Sequence, residues 1–154
     1  MADLIRRLRD PGNPKVRELA RLPLFEDLPR RRLAALATYL DEVELAPGRT
    51  LTREGRGNDT FWILLEGEAE MSVAGATTHL LGPGDFFGET SMLAGRGPVA
   101  TVRTRTPVRA LVAGREQFRA LEGDHTIAFR LLATALRRMR EELELGRRRP
   151  AQAA

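Results

Sequence analysis

The middle of this chain is cut into pieces too short for helices. Turn signals recur from Asp41 to Ala113 at Pro47-Gly48, Gly55-Arg56-Gly57-Asn58-Asp59, Glu66-Gly67, Ala74-Gly75 and Gly82-Pro83-Gly84-Asp85. They leave the short segments 43–45, 49–53, 60–65, 68–73, 77–81, 99–105 and 108–113, a pattern that predicts a β-sandwich or barrel. Residues 68–73 alternate polar and apolar, so that strand has one wet and one dry face. Residues 61–65, Phe-Trp-Ile-Leu-Leu, do not alternate, which predicts burial on both faces.

Helical patterns flank this region. Leu33, Leu36, Ala37 and Leu40 repeat at helical spacing behind Pro29, and Leu22, Leu24, Phe25 and Leu28 form an apolar cluster that should dock the N-terminal helices. After Gly114, Phe118 and Leu121 anchor a short helix. Asp124 then caps a longer one carrying Ile127, Leu131, Ala135, Met139 and Leu143 at four-residue steps, widened by Leu132 and Leu136. That stripe is wider than one small sandwich needs. It predicts pairing with the same helix of a second copy, with packing inside one chain as the alternative. The domain division is 1–40 helical, 41–113 β, 114–146 helical with Gly146 as the helix end, and 147–154 a frayed tail.

At 154 residues the chain has the length of one domain, which buries roughly 70% of its unfolded surface. With 42% hydrophobic and 30% charged residues, its composition is that of a soluble globular protein. The longest apolar run is too short to cross a bilayer, and residues 1–9 mix basic and apolar positions instead of forming a signal core, so a cytoplasmic protein without a membrane partner is expected. The absence of cysteine excludes disulfides, thiolate nucleophiles and Cys-ligated metals.

The net charge of +4 is unevenly spread. Residues 1–32 carry nine basic and five acidic groups and residues 137–149 carry six against three, so the body between them is −3. That body lacks a continuous cationic face for phosphate backbones, and nucleic acid is not an expected partner. No enzyme is expected either. His79 and His125 lie in different contexts, as a strand-surface and a first-turn helix residue, so no metal cluster forms; neither Ser72 nor Ser91 has a histidine nearby in sequence. Trp62 and Tyr39 read as packing residues, and Phe129 as core with base stacking as its alternative role.

The most informative stretch is LGPGDFFGETSMLAGRGPVATVRT, residues 81–104. A glycine followed by one helical turn exposes unpaired N–H groups that suit a mono-anionic phosphodiester, and Gly88, lacking Cβ, would let a ligand approach the backbone. The order Gly84-Asp85-x-Phe87-Gly88-Glu89, a short apolar turn, then Ala100-Thr101-Val102 resembles the phosphate-binding cassette of the cyclic nucleotide-binding domain, here spanning 84–101. Upstream, Pro47-Gly48, Glu54-Gly55, the Asn58-Asp59 turn and FWILLEGE at 61–68 are similar to further features of that family; the resemblance covers roughly 16–140.

The resemblance implies a mainly β fold, an eight-stranded jelly roll (a double-stranded β-helix) with an N-terminal helical bundle and a C-terminal lid or dimerisation helix. It also implies that Glu89 accepts from a ribose 2'-hydroxyl, while amides around Gly88, Thr90 and Ser91 hold the phosphate. Taken alone, Glu89 reads as an acid at a helix N-terminus. The expected ligand-binding set is Phe87, Gly88, Glu89, Thr90, Ser91, Arg96, Val99, Ala100 and Thr101, with no catalytic or metal site and no cofactor beyond the nucleotide itself, cAMP ahead of cGMP.

One departure stands out. The family's arginine, ten positions after the glycine, falls on Pro98. Proline supplies neither cation nor N–H, and losing one charge-assisted hydrogen bond of about 1.5–3 kcal/mol weakens binding roughly 10- to 100-fold. Arg96, two residues earlier, could reach back; its other reading is a solvated loop charge. Arg103 should face outward, because Ala100, Val102 and Thr104 share the opposite face. Two functions follow: a cyclic nucleotide sensor whose Asp124 helix swings over the pocket and relays its state to an unidentified protein partner, or a degenerate fold kept for dimerisation or protein interaction. With only a short tail after Gly146, a following helix-turn-helix is not expected.

Overall fold

The computed structural model describes residues 13–57 and 59–148; residues 1–12, Asn58 and the end of the expected tail, 149–154, lie outside the described residues. Helix α1 (Pro14–Ala20), capped by the Asn13 side chain, leads through a 3-10 turn (Pro23–Phe25) to α2 (Arg30–Ala37). Eight strands follow: β1 (Asp41–Leu45), β2 (Thr50–Thr52), β3 (Phe61–Glu66), β4 (Ala69–Val73), β5 (Ala76–Leu81), β6 (Phe86–Phe87), β7 (Thr101–Thr104) and β8 (Val108–Ala113), with α3 (Glu89–Ala94) between β6 and β7. Helices α4 (Arg115–Glu122) and α5 (His125–Arg148) close the chain. The strands make two antiparallel four-stranded sheets, ordered β1-β8-β3-β6 and β2-β7-β4-β5, the expected jelly roll. Strand β6 has two residues, too few for a periodicity to register in sequence.

The lack of alternation in β3 has a physical cause. Phe61, Ile63 and Leu65 point to one core with Leu19, Phe25, Leu33, Phe118, Ile127 and Leu131 from the helices, while Leu64 points between the sheets with Met71, Leu81, Phe87, Val102 and Ala110. Each such side chain stabilises the fold by roughly 1.5–3 kcal/mol over its exposed state. The Phe61 ring meets Phe86 and Phe118 at centroid distances of 5.7 and 5.2 Å, so the helices are seated on the sheet that carries β6. Trp62 stacks on Phe87 at 6.0 Å, and Tyr39 is partly exposed.

Helix α5 starts as expected, with Asp124 Oδ1 accepting from the Thr126 and Ile127 amides at 3.0 and 3.2 Å, while Oδ2 pairs with Arg32 of α2. Arg130 adds a tie, its Nη1 donating to the Leu24 and Glu26 carbonyls at 3.0 and 2.8 Å. Three expectations for this helix need correction. It does not stop at Gly146 but runs to Arg148, since one glycine costs about 1 kcal/mol and need not end a helix. Phe129 is exposed, not core. The five-residue stripe does not share one face: steps of four residues advance by roughly 40° each, so Ile127, Leu131 and Ala135 are buried while Met139 and Leu143 turn outward.

Candidate ligand site beneath the last helix

The β6–α3 junction, the loop before β7 and the inner face of α5 converge on one cavity, lined by Thr52, Asp59, Thr60, Met71, Phe87 to Ser91, Pro98 to Ala100, Val102, Arg138 and Glu142. Of the residues expected at the site, Phe87, Gly88, Glu89, Thr90, Ser91, Val99 and Ala100 meet here. Arg96 and Thr101 do not line the cavity. Arg96 is an exposed loop side chain, and the Thr101 hydroxyl instead accepts from the Glu54 amide at 3.1 Å. Arg103 faces outward, its Nε donating to the Gly48 carbonyl at 3.2 Å. Pro98 lines the cavity, and its carbonyl accepts from the Gly55 amide at 2.8 Å, pinning the loop.

Gly88 has φ +92°, and a Cβ there would lie 2.1 Å from the Thr60 carbonyl oxygen. The missing side chain therefore lets the chain cross its own strand β3, a demand that exists before any ligand arrives. The following turn opens α3 without a side-chain cap, leaving its first amides free of intrahelical acceptors.

Glu89 is wholly buried. Its Oε1 accepts from Arg138 Nη1 at 2.7 Å and from the Thr90 hydroxyl at 3.3 Å, while Oε2 is buried with no partner among the described residues. Arg138 Nη2 donates to the Phe86 carbonyl at 2.5 Å, and its guanidinium lies 5.7 Å from the Phe86 ring centroid. A buried carboxyl group with one oxygen lacking a protein partner calls for a further donor, and a ligand hydroxyl would supply one. Glu89 thus does more than sit at a helix N-terminus. Sequence reading missed Arg138. The signal was there: it falls three residues after Ala135, on the buried face of an amphipathic helix, where arginine is rarely left without a partner.

Helix α5 already covers the site, and what remains is about 30 Å³, room for a water or two. Lower along α5, His79 Nε2 of β5 meets Glu141 Oε2 at 2.6 Å, and the imidazole holds the Glu141 carboxyl below its ordinary range. Glu142, at the cavity edge, is pushed upward by burial. On the opposite wall Asp59 pairs with Arg115 of α4.

Comparison with known proteins agrees with this architecture. The family model described as cyclic nucleotide-binding domain matches residues 42–125. A cAMP-dependent protein kinase regulatory subunit from Emericella nidulans is 33% identical over 107 residues, 68% of this chain and 26% of that protein. The chain thus spans about a quarter of the length of the curated relatives it matches. Among solved structures, cAMP-bound PfPKA-R shares 23% identity with a TM-score of 0.81, covering 95% of this chain and 50% of that one. The Thermus thermophilus catabolite activator protein shares 27% identity with a TM-score of 0.70, covering 80% of this chain and 62% of that one. No helix among the described residues is long and apolar enough to cross a membrane.

Proposed function

Because the chain belongs to the cyclic nucleotide-binding domain family, we propose that it is a non-enzymatic regulatory module that takes a cyclic mononucleotide, cAMP ahead of cGMP, into the cavity beneath α5. The observation that carries this reading is the bare Oε2 of buried Glu89, placed beside the free first-turn amides of α3. A ribose 2'-hydroxyl would donate to Oε2 while the amides around Thr90 and Ser91 take the phosphate. Pro98 leaves the cassette without its cation, and Arg138 is the cation that lies within the site. In this reading Arg138 takes the place first considered for Arg96, keeping Glu89 oriented and facing the phosphate from α5.

A cavity of this size cannot hold a nucleotide, so binding requires α5 to shift, and the ligand must bind the shifted state more tightly. The helix is held over the cavity by two polar ties, Arg138 to Glu89 and His79 to Glu141, which makes its C-terminal half the element that would report occupancy to a protein partner. The exposed side of α5 carries the remaining apolar residues, and we assign it to a homodimer contact.

Isothermal calorimetry with cAMP and cGMP tests the ligand. Wild type should bind, and Glu89→Gln and Arg138→Ala should each weaken binding at least tenfold, the value of one charge-assisted hydrogen bond. If neither nucleotide binds wild type at millimolar concentration, the sensor reading fails and the fold serves as an interaction module.

A further inference from the structure

Arg138 and Glu141 lie within one turn of each other on α5, and each ties the helix down, the first to Glu89 and the second to His79 of β5. The guanidinium of the first tie keeps its charge at any working pH, whereas an imidazole changes charge between about pH 5 and 8. His79 is seated so that this change reaches the helix. Its side chain is 23% exposed, its Nε2 meets Glu141 Oε2 at 2.6 Å, and its Nδ1 is buried with no partner among the described residues. Carboxylates surround the ring from the helix side. Glu141 and Glu144 share a surface groove with it, and Glu142 lies close enough to feel its charge; the cations nearby are Arg148 in that groove and Arg137 and Arg138 beside Glu141. From the sheet side, β4 sets uncharged Met71 opposite His79.

We propose that His79 and Glu141 form a proton-sensitive latch: a protonated imidazole holds α5 over the cavity more tightly than a neutral one, so acid pH keeps the site covered and rising pH frees the helix to admit a ligand. The direction follows from charge. Both ring forms can donate Nε2–H to the carboxylate, but only the imidazolium adds an ion pair. The imidazole holds the Glu141 carboxyl below its ordinary range, so that partner stays charged throughout the histidine window. Proton uptake therefore favours the covered state. A ligand that needs α5 displaced favours the other, and linkage makes the two antagonistic, so affinity rises with pH. Because the pair is partly exposed, the effect is a severalfold one.

The latch rests on the reading that α5 must shift to open the cavity, and its first test needs no nucleotide. Hydrogen exchange of residues 137–146 is followed by mass spectrometry in the full chain, wild type beside His79→Gln, at about pH 5.5 and about pH 8. Glutamine keeps an N–H for Glu141 without a titratable charge, and its place on β5 leaves the intrinsic exchange chemistry of α5 unchanged. Wild type should be protected at least about threefold better than the variant at the lower pH and equally at the higher. Glu142, whose carboxyl burial pushes upward, titrates in both proteins and cancels in the comparison. Glu141→Gln should lose the same difference, and His125→Gln, which removes the other histidine, should keep it. A ratio of protection that does not change with pH, or one lost equally in His125→Gln, would overturn the latch. Calorimetry with cAMP at the same two pH values then joins it to the ligand: affinity should rise with pH at least about threefold more in wild type than in His79→Gln, and parallel profiles would overturn the latch. No binding at either pH, with the exchange difference intact, would support the latch and count against the nucleotide reading.

Discussion

Glu89 and Arg138 are the two charged side chains buried among the described residues, and each is the other's counterion. The pair joins α3 to α5 across the cavity, so the contact that would orient a ligand is also the one that holds the covering helix down.

A buried pair of this kind is costly to break from one side. Arg138→Met leaves buried Glu89 without its counterion and should lower stability by about 3 kcal/mol, whereas Arg138→Met with Glu89→Gln should recover much of that loss. Urea denaturation of both variants measures the difference. Equal losses in the single and double variants would mean that packing, not charge, sets the cost.

Pro98 lines the cavity at the position where the family resemblance expects arginine. Pro98→Arg should tighten cyclic nucleotide binding roughly 10- to 100-fold by adding a charge-assisted hydrogen bond to phosphate. Calorimetry with cAMP reads this directly, and unchanged affinity would show that Arg138 already meets the demand.

Gly88→Ala should destabilise the fold by at least 2 kcal/mol, about the cost of a strained left-handed backbone, because its Cβ would meet the Thr60 carbonyl oxygen as well. A thermal melt within a degree of wild type would refute this.

Asp124 supplies a pH dependence with a defined sign. Burial alone would raise its carboxyl, but the Arg32 guanidinium and the Ile127 and Thr126 amides hold it below the ordinary value of 3.8. A depressed acid stabilises the fold fully above its unfolded value and loses that contribution as pH falls through the lowered one. Stability of α5 should therefore drop progressively below about pH 4, and Asp124→Asn should flatten that part of the urea-midpoint profile.

Leu136, on the exposed side of α5, gives the simplest test of the proposed homodimer contact. Leu136→Glu should convert the chain to monomer in sedimentation velocity while its circular dichroism stays unchanged, since the side chain is more than half exposed and belongs to neither core cluster.

The sandwich was legible from the chain itself because strands and turns are local. The alternation in β4, the unbroken apolar run of β3 and the turn signals between them each depend on a few neighbouring residues. So was most of the candidate site, since residues 87–91 and 98–100 come from two neighbouring stretches of chain, the β6–α3 turn and the loop before β7. The remainder needed the folded chain. Arg138 reaches Glu89 across a separation of 49 residues, and no spacing rule links the face of one helix to a carboxylate in the first turn of another. The drift of α5's apolar positions decides which of them the sandwich covers and which it leaves exposed, and that depends on where Asp124 and Arg32 seat the helix. Local pattern determines what each element is; the docking of one element on another decides which side chains share a cavity.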